Sequence, residues 1–171
     1  TWVLNRACID ASQWNFENSI AVSVNVSINQ LIDDTFISIL QRALDTSSLS
    51  PSLLHLEITE SVLMQRHAES RVLLKKLREA NVQIAVDDFG TGYASLSYLK
   101  LLPLNKLKID QSFVRDVLTD PNDEAIVSTI IALGQSLDLA VIAEGVETEE
   151  QAVLLEKFGC HVYQGYHFGR P

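Results

Sequence analysis

Apolar residues follow two alternating patterns along the chain, short runs rich in branched residues and longer stretches with helical spacing. The short runs are apolar throughout and carry polar residues at their carboxyl ends, which predicts parallel strands. The predicted strands cover residues 20–27, 53–59, 83–86, 107–110, 139–143 and 161–166. The helical spacing predicts helices over residues 1–12, 35–44, 68–80, 94–101, 124–137 and 149–157. Thr148 with Gln151 predicts a capping box at the start of the last of these helices. This alternation of strand and helix is typical of an α/β fold.

Polar side chains stand at the carboxyl end of every predicted strand. In chain order they are Asn25, Glu57, Asp87 with Asp88, Asp110, Glu144 and Gln164. An open doubly wound sheet binds its ligand at one switch point, whereas a (β/α)₈ barrel builds its site from all the loops at one face. We therefore predict a TIM-like barrel. Because six strands are too few to close it, we expect two more strands upstream of Thr1, and an incomplete barrel with exposed edges is the alternative.

Residues 84–93 bring two adjacent carboxylates and two glycines together at the end of a predicted strand. An apolar strand leads into two adjacent aspartates, Asp87 and Asp88, and then into a loop with Gly90 and Gly92. A chain usually accepts the repulsion between adjacent carboxylates where cations bind both. The glycines permit a sharp turn and a close approach to a ligand. An acidic strand end followed by an ordinary turn is the alternative interpretation.

Lys108 is predicted to lie inside a buried strand, which is costly without a carboxylate partner. The carboxylates at the strand ends, with Asn25, form an oxygen-rich ligand set that suits Mg²⁺ or Mn²⁺ better than zinc. Two such ions, roughly 3.5–4 Å apart, bind both the attacking and the leaving oxygen of a phosphodiester. Two residues have alternative structural roles: Asp110 as a cap of the turn after it, and Glu147 as a favourable charge before the helix at Thr148.

The composition and net charge of the chain limit the classes of molecule that it is expected to bind. The chain has 171 residues, 47% of them hydrophobic, enough for one globular domain or most of one. A net charge of −9 and the lack of a basic cluster argue against polymeric nucleic acid and anionic membranes as partners. No run reaches the length of a membrane span, so we expect a cytoplasmic protein, with any membrane tether supplied by upstream domains. Cys8 and Cys160 lie far apart and lack metal-binding spacing, which favours reduced thiols.

Six motifs follow one another along the chain: Ser-Val-Asn25-Val-Ser, Glu57-Ile-Thr-Glu60-Ser, Asp87-Asp88-Phe-Gly-Thr-Gly-Tyr, Lys108-Ile-Asp110, Glu144-Gly-Val-Glu147-Thr and Gln164-Gly-Tyr-His-Phe-Gly-Arg-Pro. In this order and spacing they resemble the EAL family of cyclic-di-GMP phosphodiesterases. The resemblance covers essentially the whole chain and implies a TIM-like barrel. It also implies that residues 1–171 are the C-terminal major part of one such domain, with the first strands and the Glu-Ala-Leu motif upstream.

The resemblance implies metal ligands. Asn25, Glu57 and Asp87 would bind one divalent ion, and Asp87 together with Asp88 would bring a second ion close to it. Asp110 would also lie in the metal shell. Asp88 is thereby expected to act in catalysis as well as in metal binding, and the ions are expected to be Mg²⁺ or Mn²⁺.

The resemblance implies further roles around the metals. Lys108 would lie beside the attacking water, and Glu144 would be a general base or a ligand of the metal shell. Glu60 would steady the loop that begins at Gly90. Glu147 would support the site or bind guanine, and Gln164 would be a polar group of the same pocket.

The implied activity is metal-dependent hydrolysis of cyclic di-GMP to linear 5′-pGpG. The resemblance also implies an upstream sensory or cyclase domain and a homodimer through the helix after Gly92. Two other functions remain as alternatives: a catalytically inactive EAL-type receptor for cyclic di-GMP, and a protein-interaction module. A receptor usually loses metal ligands or loop glycines, and every motif is intact here, which argues against it.

Overall fold

The computed structural model describes residues 2–14, 20–31, 33, 35–65, 67–92 and 96–170. Within this part of the chain, strands and helices alternate as expected. The strands are β1 (Val22–Asn25), β2 (Leu54–Thr59), β3 (Gln83–Phe89), β4 (Lys106–Ile109), β5 (Ala140–Glu144) and β6 (Val162–Gln164). Their order in the sheet is the order in the chain, and the pairs β1–β2, β4–β5 and β5–β6 are parallel.

The helices of the described residues fall between the strands. They are α1 (Trp2–Ser12), α2 (Ile28–Leu31), α3 (Phe36–Ser47), α4 (Glu60–Gln65), α5 (His67–Glu79), α6 (Leu96–Leu99), α7 (Gln111–Arg115), α8 (Pro121–Ser136) and α9 (Glu149–Phe158). A 3₁₀ turn at Pro51–Leu53 precedes β2. Among the described helices, none combines the length and the apolar character that a membrane crossing requires.

The chain falls into two compact units. The first comprises Thr1–Ile58, Val62–Ala85 and Ser97–Leu104. In it, α1 packs on α3 and on β1. Its fully buried side chains include Leu40, Leu54, Leu56, Leu74 and Leu77. The parallel register of β1 and β2 places Asn25 opposite Glu57, so two predicted ligands are cross-strand neighbours.

The second unit comprises Thr59–Ser61, Val86–Leu96 and Asn105–Pro171. Here α8 packs against β4 and β5, and α7 packs against both α8 and β5. The fully buried side chains of this unit include Leu107, Ile109, Val114, Val127, Ile131, Ala143 and Leu155. Apolar residues of the strands thus anchor the backbone next to the polar residues at the carboxyl ends.

The strand predicted over residues 83–86 continues to Phe89 and therefore contains both aspartates. The prediction ended the strand too early because it treated charged residues as the start of a loop. Phe89 is 5% exposed, and its carbonyl accepts a hydrogen bond from the backbone N–H of Asp110. A buried apolar residue beyond the aspartates thus keeps this segment in the sheet as far as Phe89.

Several helices of the structure differ from the predicted helices in their boundaries or were not predicted. The helix predicted from residue 124 begins at Pro121, because Asp120 caps it by accepting the Asn122 N–H at 2.8 Å. The short helices α2 and α4 were missed because four to six residues carry too little periodicity to be recognised. The helix predicted over 94–101 is present as Leu96–Leu99, and its first two predicted residues lie outside the described part.

Candidate active site

A buried lysine lies at the centre of the predicted site in the second unit. Lys108 is 3% exposed and stands on β4 between the fully buried Leu107 and Ile109. Its Nζ lies 2.9 Å from Asp87 Oδ1 and 2.6 Å from Glu144 Oε1. The sequence predicted that a lysine here needs a carboxylate partner, and the structure confirms it with two.

The three strands β3, β4 and β5 position these groups. Asp87 is close to the end of β3, Lys108 is one residue before the end of β4, and Glu144 is the last residue of β5. The carboxylates of Asp87 and Glu144 keep partial solvent access, with side chains 12% and 17% exposed, whereas the lysine side chain is 4% exposed. The buried ammonium group of Lys108 is therefore covered by the carboxylates of Asp87 and Glu144, which remain partly accessible to solvent.

Asp88 adds a third carboxylate. One oxygen each of Asp87, Asp88 and Glu144 lies within 4.8 Å of the other two. The backbone of Asp88 has a φ of 52°, in the left-handed region that few residues other than glycine adopt. Such a conformation costs roughly 1–3 kcal/mol and is common where a function requires it. It is the reason that two adjacent strand residues contribute to one cluster.

The electrostatics of this cluster disfavour a third negative charge. Burial raises the pKa of Asp88 above its ordinary value, and the carboxylates of Asp87 and Asp110 raise it further, while Lys108 acts in the opposite direction. Oδ1 of Asp87 is buried and has no hydrogen bond of good geometry within the described residues, and Lys108 Nζ at 2.9 Å is its ion-pair partner. Three carboxylates around one ammonium group leave an excess of negative charge, as expected where a cation belongs.

Asp110 has the structural role that sequence analysis offered as the alternative. It is the N-cap of α7, and its Oδ1 accepts the backbone N–H of Ser112 at 2.8 Å as well as a short hydrogen bond from the Ser112 hydroxyl. Its carboxylate is also close enough to Asp88 to influence its pKa. Asp110 therefore caps α7 and also lies beside the carboxylate cluster. The sequence analysis placed the capped turn at Gln111 and Ser112, and the structure confirms it.

Glu60 holds the loop that follows the aspartates. Its Oε2 accepts the backbone N–H of Gly90 at 2.9 Å and that of Gly92 at 3.4 Å. A Cβ on Gly92 would lie 2.5 Å from Glu60 Oε1, so only glycine leaves room for the carboxylate. Gly90 has a φ of 101°, which explains the requirement for glycine at that position as well.

The residues at the ends of β5 and β6 are more exposed. Gln164 lies opposite Glu144 in the parallel register of these strands, and its carbonyl accepts the N–H of Val146 at 3.0 Å. The side chains of Gln164 and Glu147 are both exposed. The backbone N–H of Glu147 is bound by Gln151 Oε1 at 2.8 Å. The structure therefore leaves the predicted roles of Glu147 and Gln164 as predictions.

Asn25 and Glu57 belong to the first unit. They are opposite each other at the ends of β1 and β2, and the carbonyl of Glu57 accepts the N–H of Val26 at 2.9 Å. Glu57 is a buried carboxylate, whereas Asn25 is exposed. Their pairing follows from the strand register alone, and their role as metal ligands stays a prediction.

Comparison with known proteins identifies the family to which this chain belongs. The chain matches the EAL domain over residues 1–171. It is 44% identical over 173 residues to the bifunctional diguanylate cyclase/cyclic di-GMP phosphodiesterase MucR of Pseudomonas aeruginosa, a match that covers 99% of this chain and 25% of MucR. Other curated relatives are longer still, and the chain spans as little as 21% of their length.

Solved structures give the same result. The structure described as PaMucR phosphodiesterase in complex with c-di-GMP has a TM-score of 0.96 and 44% identity, covering 99% of this chain and 70% of that one. Klebsiella pneumoniae BlrP1, in its calcium/c-di-GMP complex, has a TM-score of 0.91 and 30% identity, covering 99% of this chain and 43% of that one. These similarities confirm the predicted fold class, the TIM-like α/β fold, here with six strands in the described residues. The chain belongs to the EAL domain family.

Proposed function

We propose that this chain is the catalytic part of a phosphodiesterase that hydrolyses cyclic di-GMP to linear 5′-pGpG in bacterial second-messenger signalling. The observation that carries the proposal is the buried Lys108, held by Asp87 and Glu144 next to a third carboxylate. Relatives named as cyclic di-GMP phosphodiesterases support it, at 39–44% identity over the whole chain.

The ligand set fits divalent cations. Asp87, Asp88 and Glu144 present oxygens within 4.8 Å of one another, and within the described residues the buried Asp87 Oδ1 has the Lys108 ion pair but no hydrogen bond of good geometry. Hard oxygen ligands of this kind favour Mg²⁺ or Mn²⁺. Two bound ions would lower the pKa of a water molecule and offset the charge of the phosphodiester. Asn25, Glu57 and Asp110 complete the proposed ligand set on the strength of the family motifs.

The chain's own groups supply the rest of the chemistry. The ammonium group of Lys108 places a fixed positive charge where negative charge develops on the phosphoryl oxygens. In the reaction, the oxygen of one water bonds to phosphorus, one P–O3′ bond breaks, and a proton reaches the leaving 3′ oxygen. Glu144 is the group that accepts the water's proton, because a carboxylate can take up a proton whereas the Lys108 ammonium group, 2.6 Å from Glu144 Oε1, only donates.

The surrounding residues hold this geometry. Glu60 fixes the loop of Gly90 and Gly92, so that Asp88 keeps its left-handed backbone next to the cluster. Glu147 and Gln164 are proposed to line the substrate pocket. Glu147 lies in the loop after Glu144, and Gln164 lies opposite Glu144 at the end of the neighbouring strand β6. The implied upstream strands with the Glu-Ala-Leu motif, the upstream sensory or cyclase domain and the homodimer remain proposals from the family resemblance.

The test is hydrolysis of cyclic di-GMP by the purified protein extended upstream through the implied Glu-Ala-Leu motif, with Mn²⁺ or Mg²⁺ present and linear pGpG quantified by chromatography. We expect product from the wild type and none from Asp87→Asn. Glu124→Gln, a charge-matched change at an exposed position in the first turn of α8, should keep wild-type activity. Binding of cyclic di-GMP without hydrolysis would show a receptor, and the absence of both would favour an interaction module.

A further inference from the structure

Gln151 is a buried polar side chain to which the proposed chemistry assigns no role. It lies in the first turn of α9 and is 5% exposed. A primary amide has two acceptor positions on its oxygen and two donor hydrogens on its nitrogen. The structure uses all four, which is unusual for one side chain and indicates a specific task.

The oxygen of Gln151 fixes the loop after Glu144. Oε1 accepts the backbone N–H groups of Glu147 at 2.8 Å and of Thr148 at 3.1 Å. In return, Thr148 Oγ1 accepts the backbone N–H of Gln151 at 3.2 Å, which completes a capping box. The capping box was predicted from the sequence, and it explains one of the four hydrogen bonds of this side chain, the one from the Thr148 N–H.

The nitrogen of Gln151 binds a different element. Nε2 donates to the carbonyl of Val114 at 3.1 Å and to that of Arg115 at 3.2 Å. These are the last two residues of α7, the helix whose N-cap is Asp110. Val114 is fully buried, so this end of α7 is anchored in the core. A capping box needs neither of these bonds, so the amide nitrogen has a separate function.

The same loop contacts the other end of α7. A Cβ on Gly145 would lie 2.6 Å from the Cβ of Gln111, so the backbone of Gly145 rests directly on the first residue of the helix. The backbone of Gly90 rests on the ring of Phe113, 2.9 Å from the position of an added Cβ. Helix α7 therefore supports both the loop after Asp88 and the loop after Glu144.

We propose that Gln151 is a positioning residue for the reaction, which rests on the proposed function. Its two donor bonds hold residues 145–148 against α7 and thereby hold the Glu144 carboxylate at its 2.6 Å distance from Lys108. A misplacement of about 1 Å costs on the order of 100-fold in rate when a reacting group is affected. Loss of the two donor bonds is expected to lower kcat rather than substrate affinity.

Gln151→Glu separates the two halves of the side chain. Glutamate serves a capping box as well as glutamine does, but it has no N–H to offer the two carbonyls of α7. We expect kcat to fall at least 10-fold while KM stays within 2-fold. The matched control is Thr148→Ala, which removes the capping hydroxyl and keeps the Gln151 amide. It should lower the melting temperature and leave kcat unchanged.

A second measurement is independent of activity. The coupling between Lys108 and Glu144 is obtained from unfolding of the variants Lys108→Met and Glu144→Gln, singly and together. The cycle is measured in the wild type and again with Gln151→Glu, or with Gln151→Met if the glutamate variant does not fold. We expect the coupling to fall by at least half when the amide is lost.

The outcomes distinguish the inference from the proposed function. Unchanged coupling together with unchanged kcat in Gln151→Glu would overturn the positioning role, as would an equal loss of kcat in Thr148→Ala. A wild-type protein that does not hydrolyse cyclic di-GMP would refute the proposed function alone. In that case the coupling measurement still decides whether Gln151 positions Glu144.

Discussion

Replacing Lys108 by methionine tests the centre of the site. Methionine has nearly the length of lysine and no charge, so Lys108→Met preserves volume on β4 while leaving the carboxylates of Asp87 and Glu144 without their shared counterion. Removing one partner from a buried ion pair costs about 3–5 kcal/mol, because an uncompensated charge remains. Both carboxylates keep some solvent access, which places the expected loss near the lower limit, about 3 kcal/mol.

The assay is thermal and urea unfolding in the presence of a chelator. For a chain of this size, 1 kcal/mol corresponds to about 2–4 °C, so the melting temperature should fall by roughly 6–12 °C. The double variant Lys108→Met/Glu144→Gln should recover part of the loss, because it removes one of the two unpaired charges. The catalytic rate should fall by about 100-fold or more, since the charge that stabilises the phosphoryl oxygens is gone.

Lys75→Met is the matched control. Lys75 lies in α5 with its Nζ 3.9 Å from Glu79 Oε1, and both side chains are mostly exposed. Exposed pairs of this kind contribute about 0.2–1 kcal/mol, so the control should remain close to the wild type. If Lys108→Met unfolds at the same temperature as Lys75→Met, Lys108 does not hold the charge balance of the site, and the reasoning is wrong.

Three further predictions follow from individual contacts. Gly92→Ala would push its Cβ to 2.5 Å from Glu60 Oε1 and disturb a charged hydrogen bond worth about 1.5–3 kcal/mol, seen as lower stability in urea together with a lower kcat. Asp120→Ala should lose about 1 kcal/mol by removing the cap of α8, with unchanged hydrolysis. The hydrogen bonds from Thr35 hold the pKa of Asp33 below its ordinary value of about 3.8. The ionised carboxylate therefore stabilises the fold above that value, and this stabilisation is lost as the pH falls through the lower pKa of the folded state. Asp33→Ala should thus lower the free energy of unfolding more at pH 7 than in acid.

Most elements were predictable because their signals are local. Apolar runs with polar carboxyl ends indicated the parallel strands, and Thr148 with Gln151 indicated the start of α9, which the structure confirms. The failures are local as well. The end of β3 was placed before Asp87 because charge outweighed the apolar Phe89 in the pattern, whereas burial of Phe89 decided the matter in the fold.

The candidate site was predictable as a set of residues and not as a set of contacts. The family motifs named Asp87, Lys108 and Glu144, and the cost of a buried lysine required a carboxylate near it. Nothing in the sequence indicated which carboxylate, or that there would be two. That choice depends on which residues of neighbouring strands face the same space, and strand register is a property of the folded sheet.

The sequence by itself determined the alternation of strands and helices, the polar strand ends and the membership of the EAL family, because each depends on residue type and spacing along the chain. Only the tertiary structure decided that Asp88 turns toward the cluster through a left-handed backbone, that Asp110 caps α7 beside it, and that Gln151 joins the loop after Glu144 to α7. These features join groups that are distant in sequence. Their geometry is set by packing between elements, which no local pattern records.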